Sequence, residues 1–245
     1  MKQKLNIMGK QFSAAIALLS AQLLLALLSF IIALSVLIIV IREIFYDKEY
    51  HMDEQVFSFL SHYVNETNTM LMKGISFMGS QYFLIPGWLV LLLCCFLIRK
   101  NKWMTAKIFI VAVSNLLLML ILKLLFNRPR PLIPLLKNVP GLSFPSGHAF
   151  MSLVFYGMVM YVLYREVKSN WLKWTAIGVM ALVVLTIGLS RVYLRVHYAS
   201  DVIAGYCFGI ISLLILFWLL RQIEKYHAKS MLSPLNVTKT LQDSN

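Results

Sequence analysis

Charge is scarce in this sequence. Asp, Glu, Lys and Arg make up 13% of its 245 residues and hydrophobic residues 60%, so a water-soluble fold would lack the polar side chains to cover its surface. Acidic residues are scarcer still, 10 against 23 Lys and Arg, which leaves a formal net charge of +13. No interleaving of basic and aromatic residues accompanies that excess, and a nucleic-acid partner is excluded on that ground. Cations that orient helices and meet anionic headgroups account for most of it. The cysteines number three: Cys94, Cys95 and Cys207 fall inside apolar runs and read as reduced packing residues, not a disulfide framework.

Long apolar runs are what the chain has in quantity. They lie at about 14–41, 70–98, 104–126, 150–164, 174–190 and 201–220, the fourth and fifth being the shortest. The fold class that follows is all-α: a polytopic membrane protein with a bundle of six transmembrane helices, in one domain over 1–229. Lys2, Lys4 and Lys10 precede the first run as they would in a signal peptide. Its apolar core is too long for that and no small-x-small site closes it, so it reads as a retained helix. From Ser230 onward Pro234, Asn236 and Gln242 punctuate a polar stretch, expected to be a disordered cytoplasmic tail over 230–245.

Lys and Arg fix the expected orientation in a cell (plasma) membrane. Lys2, Lys4, Lys10, Arg99, Lys100, Lys102, Arg165, Lys168, Lys173, Arg221, Lys225 and Lys229 all fall on one side of alternating spans. Both termini are therefore expected in the cytoplasm. The opposite side departs from the usual depletion of positive charge, since 127–149 and 191–200 carry Arg128, Arg130, Lys137, Arg191 and Arg195. In the first outer loop, Arg42 to Thr69, Val56, Phe57, Leu60, Tyr63 and Val64 recur at helical spacing behind His51, Asp53 and Glu54. This predicts a short interfacial amphipathic helix. Asn65-Glu66-Thr67 matches a glycosylation acceptor, a pattern too common by chance to carry weight.

Three polar blocks interrupt the apolar pattern. Lys123 sits inside the third run, where a charge is costly unless it snorkels or meets an anion, and Asn127-Arg128-Pro129-Arg130-Pro131 then ends the helix in an extended, doubly basic segment. In Pro145-Ser146-Gly147-His148, Ser146 is a good N-cap and Gly147 permits close backbone approach, so the helix start can hold an anion. In Ser190 to Asp201, His197 and Asp201 are four residues apart, a spacing that puts them on one face of a helical turn. Asp201 also supplies the sole acid of its apolar run. All three blocks fall at outer helix ends. Lys123, Arg130 and Arg191 converging with His148, His197 and Asp201 describe a phosphate pocket. A metal site on His148, His197 and Asp201 is the rival reading, and three neighbouring cations would repel a divalent ion.

In these blocks the sequence resembles the type 2 phosphatidic acid phosphatase superfamily. Its signature KxxxxxxRP, PSGH and SRxxxxxHxxxD is matched by Lys123 to Pro131, Pro145 to His148 and Ser190 to Asp201. The first match selects Arg130, although Arg128-Pro129 repeats the dipeptide and could share its role. The resemblance implies a phosphatase without metal or cofactor. His197 would attack phosphorus to form a phosphohistidine, Asp201 would fix the tautomer of its ring, and His148 would act as acid and then base. Lys123, Arg130, Arg191, Ser146 and Gly147 would bind the phosphate. The charge asymmetry of the loops puts the expected active site on the extracytoplasmic side, and the resemblance implies a lipid phosphate as partner, beside the surrounding membrane lipids. Phosphatidylglycerophosphate and undecaprenyl pyrophosphate are favoured jointly, ahead of phosphatidic acid.

Two other readings use the same cations. A transporter of phosphate or phospholipid should show internal repeats, and no block occurs twice. A vanadate-dependent haloperoxidase shares the family's anion pocket, but its members are not six-helix membrane proteins.

Overall fold

The computed structural model describes the backbone of residues 2–136 and 141–231, and the side chains of 21–136 and 141–226. Helix α1 (Lys2–Ile41) runs on through a π-helical turn, Arg42–Asp47, and stops at Lys48 in the left-handed region at φ 55°. Helix α2 (His51–Ser61) follows. Helix α3 (Glu66–Phe77) is capped by Asn65, whose side chain accepts the Asn68 N–H at 2.8 Å. The Asn65-Glu66-Thr67 pattern is thus a helix start. A break at 78–80 precedes α4 (Gln81–Leu93), which a second π-helical turn, Cys94–Ile98, extends.

Helix α5 (Lys102–Phe126) opens on Asn101, which accepts the Met104 N–H at 3.0 Å. It closes on Asn127, left-handed at φ 43°, whose N–H reaches Lys123 O. Helices α6 (Gly147–Glu166), α7 (Asn170–Tyr193) and α8 (Ala199–Met231) complete the chain, and no strand occurs among the described residues. Helix α8 thus passes the boundary expected at 229, and residues 232–245 of the expected tail lie outside the described residues.

Among the described residues six spans are long and apolar enough to cross a bilayer: Ala21–Asp47, Glu66–Ile98, Lys102–Phe126, Gly147–Glu166, Asn170–Tyr193 and Ala199–Tyr226. The chain is a multi-pass membrane protein of all-α class, as its apolar runs predict. The two runs that read as shortest are complete spans of 20 and 24 residues. Their polar ends, Gly147-His148 and Ser190-Arg191, are inside the helices, where the periodicity of apolar residues cannot find them.

The second span is in two pieces. At Gly79, in the break, a Cβ would lie 2.5 Å from Ile187 and 3.4 Å from His148, so the gap lets the backbone approach α7 and α6 more closely than any side chain allows. Helix α6 is central, packed against α4, α5, α7 and α8. Ile108, Val111, Phe150, Val154, Met158 and Ile187 fill the space around it.

The expected helix of the first outer loop is present as α2 and is docked. Val56, Phe57 and Leu60 pack onto Val192, Ala199 and Val202, where the end of α7 meets the start of α8. Tyr63 and Val64, expected on the same face, lie beyond its last turn and are exposed. Asp53, in its first turn, is only 3% exposed.

Candidate active site

Backbone hydrogen bonds stitch the three polar blocks together. Ser143 N–H donates to Arg128 O at 2.8 Å, Ser146 N–H to Asp201 O at 3.0 Å, and Leu135 N–H to Leu194 O at 2.9 Å. Pro129 and Pro131 keep the first segment out of the helix, leaving it free for these contacts. Helix α8 meets the start of α6 at Gly205, where a Cβ would stand 2.9 Å from Ser146 O and 3.2 Å from Ala149 Cβ.

His197 and Asp201 meet at the centre of this knot, 1% and 0% exposed. Nδ1 of the imidazole is 3.6 Å from Oδ2 of the carboxylate, a few tenths of an ångström beyond hydrogen-bond range. The expected shared helical turn is absent. Helix α8 begins at Ala199, and Arg195 at φ 54° turns the chain so that His197 swings back over the helix start. Asp201 is otherwise fully engaged: Oδ1 accepts from Arg128 Nη1 at 2.6 Å, Oδ2 from Tyr198 N–H at 2.9 Å and from the Ser143 hydroxyl. Burial pushes the His197 imidazole down to about 4; Asp201 opposes this, and Arg130 and Arg191 add to it. At pH 7 the ring is neutral.

His148 opens α6 within electrostatic reach of Arg191, His197, Arg130 and Lys123. Lys123 Nζ points toward Leu142 O at 3.4 Å, and its Cε runs 3.8 Å from where a Gly147 Cβ would be. Arg191, 4% exposed, donates from Nη1 to Ser76 Oγ at 2.6 Å. Its Nε and the Nδ1 of His197 are buried with no hydrogen-bond partner among the described residues. Arg130 donates from Nε to Gly141 O at 3.1 Å and from Nη1 to Val196 O at 2.9 Å, tying itself and Gly141 to the turn before α8. Ser146 is buried and caps α6, accepting the Ala149 N–H at 3.5 Å. The structure thus brings all eight expected site residues to one end of the bundle.

Arg128 and Arg130 separate. Arg128 is 5% exposed and clamped between two carboxylates, with Asp53 Oδ2 at 3.0 Å from Nη2 and Asp201 Oδ1 at 2.6 Å from Nη1. Arg130 instead bonds the backbone carbonyls of Gly141 and Val196, within electrostatic reach of His148 and His197. Sequence reading missed Asp53, Ser76, Ser143 and Ser200. Asp53 lies 75 residues before its arginine, so no local spacing announces the pair. Its one visible signal is an acid in a chain that has few.

A histidine with a buried carboxylate behind it, grouped with three cations at one end of a six-span bundle, is an arrangement suited to holding a phosphate. Residues 103–225 match the PAP2 superfamily, and the chain belongs to it. Phosphatidylglycerophosphatase B of Bacillus subtilis (strain 168) is 31% identical over 159 residues, 63% of this chain and 74% of that protein. The bacitracin transport permease protein BcrC of Bacillus licheniformis is 31% identical over 85 residues, 35% of this chain and 37% of that protein.

Among solved structures, a transmembrane PAP2-type phosphatidylglycerolphosphate phosphatase from Bacillus subtilis superposes with a TM-score of 0.71 at 25% identity, covering 81% of this chain and 96% of that one. Aquifex aeolicus LpxE gives a TM-score of 0.50 at 27% identity, over 66% of this chain and 93% of its own.

Proposed function

We propose that the protein removes a phosphate from a membrane lipid through a phosphohistidine on His197. Phosphatidylglycerophosphate is the first candidate, by likeness to the phosphatases just described, and undecaprenyl pyrophosphate the second. The observation that carries this is the buried Asp201 Oδ2, 3.6 Å behind Nδ1 of a neutral His197. A carboxylate there favours the tautomer with its proton on Nδ1, which leaves Nε2 unprotonated and free to attack phosphorus.

As the Nε2–P bond forms, the P–O bond to the lipid breaks, and the departing oxygen takes a proton from His148. Water then attacks the phosphohistidine, gives a proton back to His148, and releases inorganic phosphate and free His197. Lys123, Arg130 and Arg191, with Ser146 and the Gly147 amide at the helix start, neutralise the phosphoryl oxygens as charge spreads over them. No metal has a step in this scheme. Asp201 spends both oxygens on Arg128, Ser143 and Tyr198, and the cations around the two histidines oppose a divalent ion.

Lipid chains can stay in the bilayer while the phosphate enters between the outer ends of the helices, and the charge asymmetry of the loops supports an extracytoplasmic mouth with cytoplasmic termini. The name of the BcrC relative suggests transport. A carrier would use the cations but has no need of the His197–Asp201 pair.

The test is phosphate release by purified protein in EDTA, from phosphatidylglycerophosphate, undecaprenyl pyrophosphate, phosphatidic acid and a soluble ester. Hydrolysis of at least one lipid, faster than of the soluble ester, is expected. Activity on none, with phosphate uptake in proteoliposomes, would replace this reading by transport.

A further inference from the structure

The proposed reaction leaves a buried charged cluster beside the site unused. Arg128, Asp53, Ser200 and Asp201 are 5%, 3%, 2% and 0% exposed. Arg128 Nη1 donates to Asp201 Oδ1 at 2.6 Å and Ser200 Oγ at 2.8 Å, and Nη2 donates to Asp53 Oδ2 at 3.0 Å. Asp53 also accepts the Ser200 N–H at 2.9 Å and the Ser200 hydroxyl at 2.6 Å. The guanidinium lies over the Tyr198 ring, 4.0 Å from its centroid. Burying an arginine and two carboxylates is a poor route to stability, because the desolvation cost offsets the attraction between them. A specific geometric task accounts for it better.

That task is visible at Asp201. Arg128 occupies Oδ1, and Ser143 and the Tyr198 N–H hold Oδ2. The carboxylate therefore cannot rotate, and Oδ2 is the oxygen presented to His197 Nδ1. The planar fork of an arginine fixes direction in a way a lysine could not. Its far end is gripped by Asp53, which belongs to α2, and α2 sits by its apolar face on α7 and α8.

We propose that Arg128, anchored by Asp53, is a positioning residue that keeps Asp201 aimed at His197, and that α2 is thereby part of the support of the nucleophile. The proposal rests on the reading of His197 as nucleophile with Asp201 behind it.

The test follows phosphoryl transfer to the enzyme, read as the burst of nitrophenolate from p-nitrophenyl phosphate with full-length protein in detergent. Asp53→Asn with Arg128→Gln removes one charge of each sign. This pair should slow the burst by about 10-fold or more while leaving KM and inhibition by inorganic phosphate within about 3-fold, since neither residue is in the cationic cradle. In an Asp201→Asn background the same pair should cost little more, because there is no carboxylate left to aim.

An equal-fold loss in both backgrounds, or a loss confined to KM and phosphate inhibition, would show a role in the fold alone and overturn the proposal. So would an unchanged burst. If Asp201→Asn slows the burst and the paired variant does not, only the role of Arg128 falls. If Asp201→Asn itself leaves the burst unchanged, the nucleophile reading falls with it. Should the paired variant fail to fold, the isosteric Asp53→Asn alone carries the test, with a slower burst of several-fold at unchanged KM expected and an unchanged burst overturning the proposal.

Discussion

In the proposed reaction the chemistry at His197 depends on which ring nitrogen holds the proton, and at His148 on whether a proton is available when the leaving oxygen departs. An alkoxide leaves poorly without protonation and a nitrophenolate leaves readily. His148→Ala should therefore slow the phosphorylating step far more on a lipid phosphomonoester than on p-nitrophenyl phosphate. His197→Ala should abolish the burst on both. A burst that survives in the His197 variant and vanishes in the His148 variant would exchange their roles. Arg130 bridges the two loops beside both histidines. Arg130→Ala should cost on the order of 3 kcal/mol in kcat/KM, the size of losing one donor to a developing oxyanion. A loss below about 1 kcal/mol would remove it from the cradle.

Elements bring these residues together, and here sequence reading succeeds and fails for identifiable reasons. Lys123, Arg130, Ser146, Gly147, His148, Arg191, His197 and Asp201 are legible because each polar residue interrupts or ends an apolar run, where it is expensive. The ring–carboxylate approach is also legible from the spacing of His197 and Asp201, but its geometry is not. A left-handed Arg195, not a helical turn, delivers the histidine. Asp53 and Ser76 are illegible because their partners Arg128 and Arg191 lie 75 and 115 residues away, and only tertiary packing pairs them.

Helix contacts near the site leave almost no tolerance. At Gly205 an added Cβ would press on Ser146 O at 2.9 Å, backbone that cannot swing aside, whereas at Gly74 it would meet nothing within 4 Å. Gly205→Ala should push α8 from the start of α6 and lower kcat by about 10-fold or more, while Gly74→Ala should leave turnover unchanged. Equal turnover in the two variants would mean that the α6–α8 contact does not hold the site.

For the whole molecule, burial of a neutral His197 ties stability to pH. The native ring titrates near about 4 and the unfolded one near 6.5. Between those values the unfolded chain binds a proton that the native one does not, so stability should fall as pH drops from about 6.5 to about 4 and be flat, as far as this group is concerned, above. His197→Gln should flatten that part of a Tm profile taken in detergent. A profile unchanged by the substitution would assign the dependence to other groups.

Orientation is the remaining molecular property, and the expectation for it comes from charge. Six spans alternate, so 48–65, 127–136, 141–146 and 194–198 share one end of the bundle and 99–101 and 167–169 share the other with the end of α8. The second end carries Arg99, Lys100, Arg165, Lys168, Arg221 and Lys225, while at the first end Arg128 and Arg130 are bonded into the site or its support. Arg99 pairs with Glu166 there, joining the two short loops. By the positive-inside bias the second end is expected in the cytoplasm and the site outside, as proposed.

Leu132, 96% exposed beside the site, and Ser169, at the start of α7, are suitable reporters in a chain whose Cys94, Cys95 and Cys207 are replaced by alanine. Leu132→Cys should react with a membrane-impermeant maleimide on intact cells, and Ser169→Cys only after permeabilisation. The reverse pattern would put the site in the cytoplasm, and its cations would then be ordinary members of the inside bias instead of the exception that a phosphate explains.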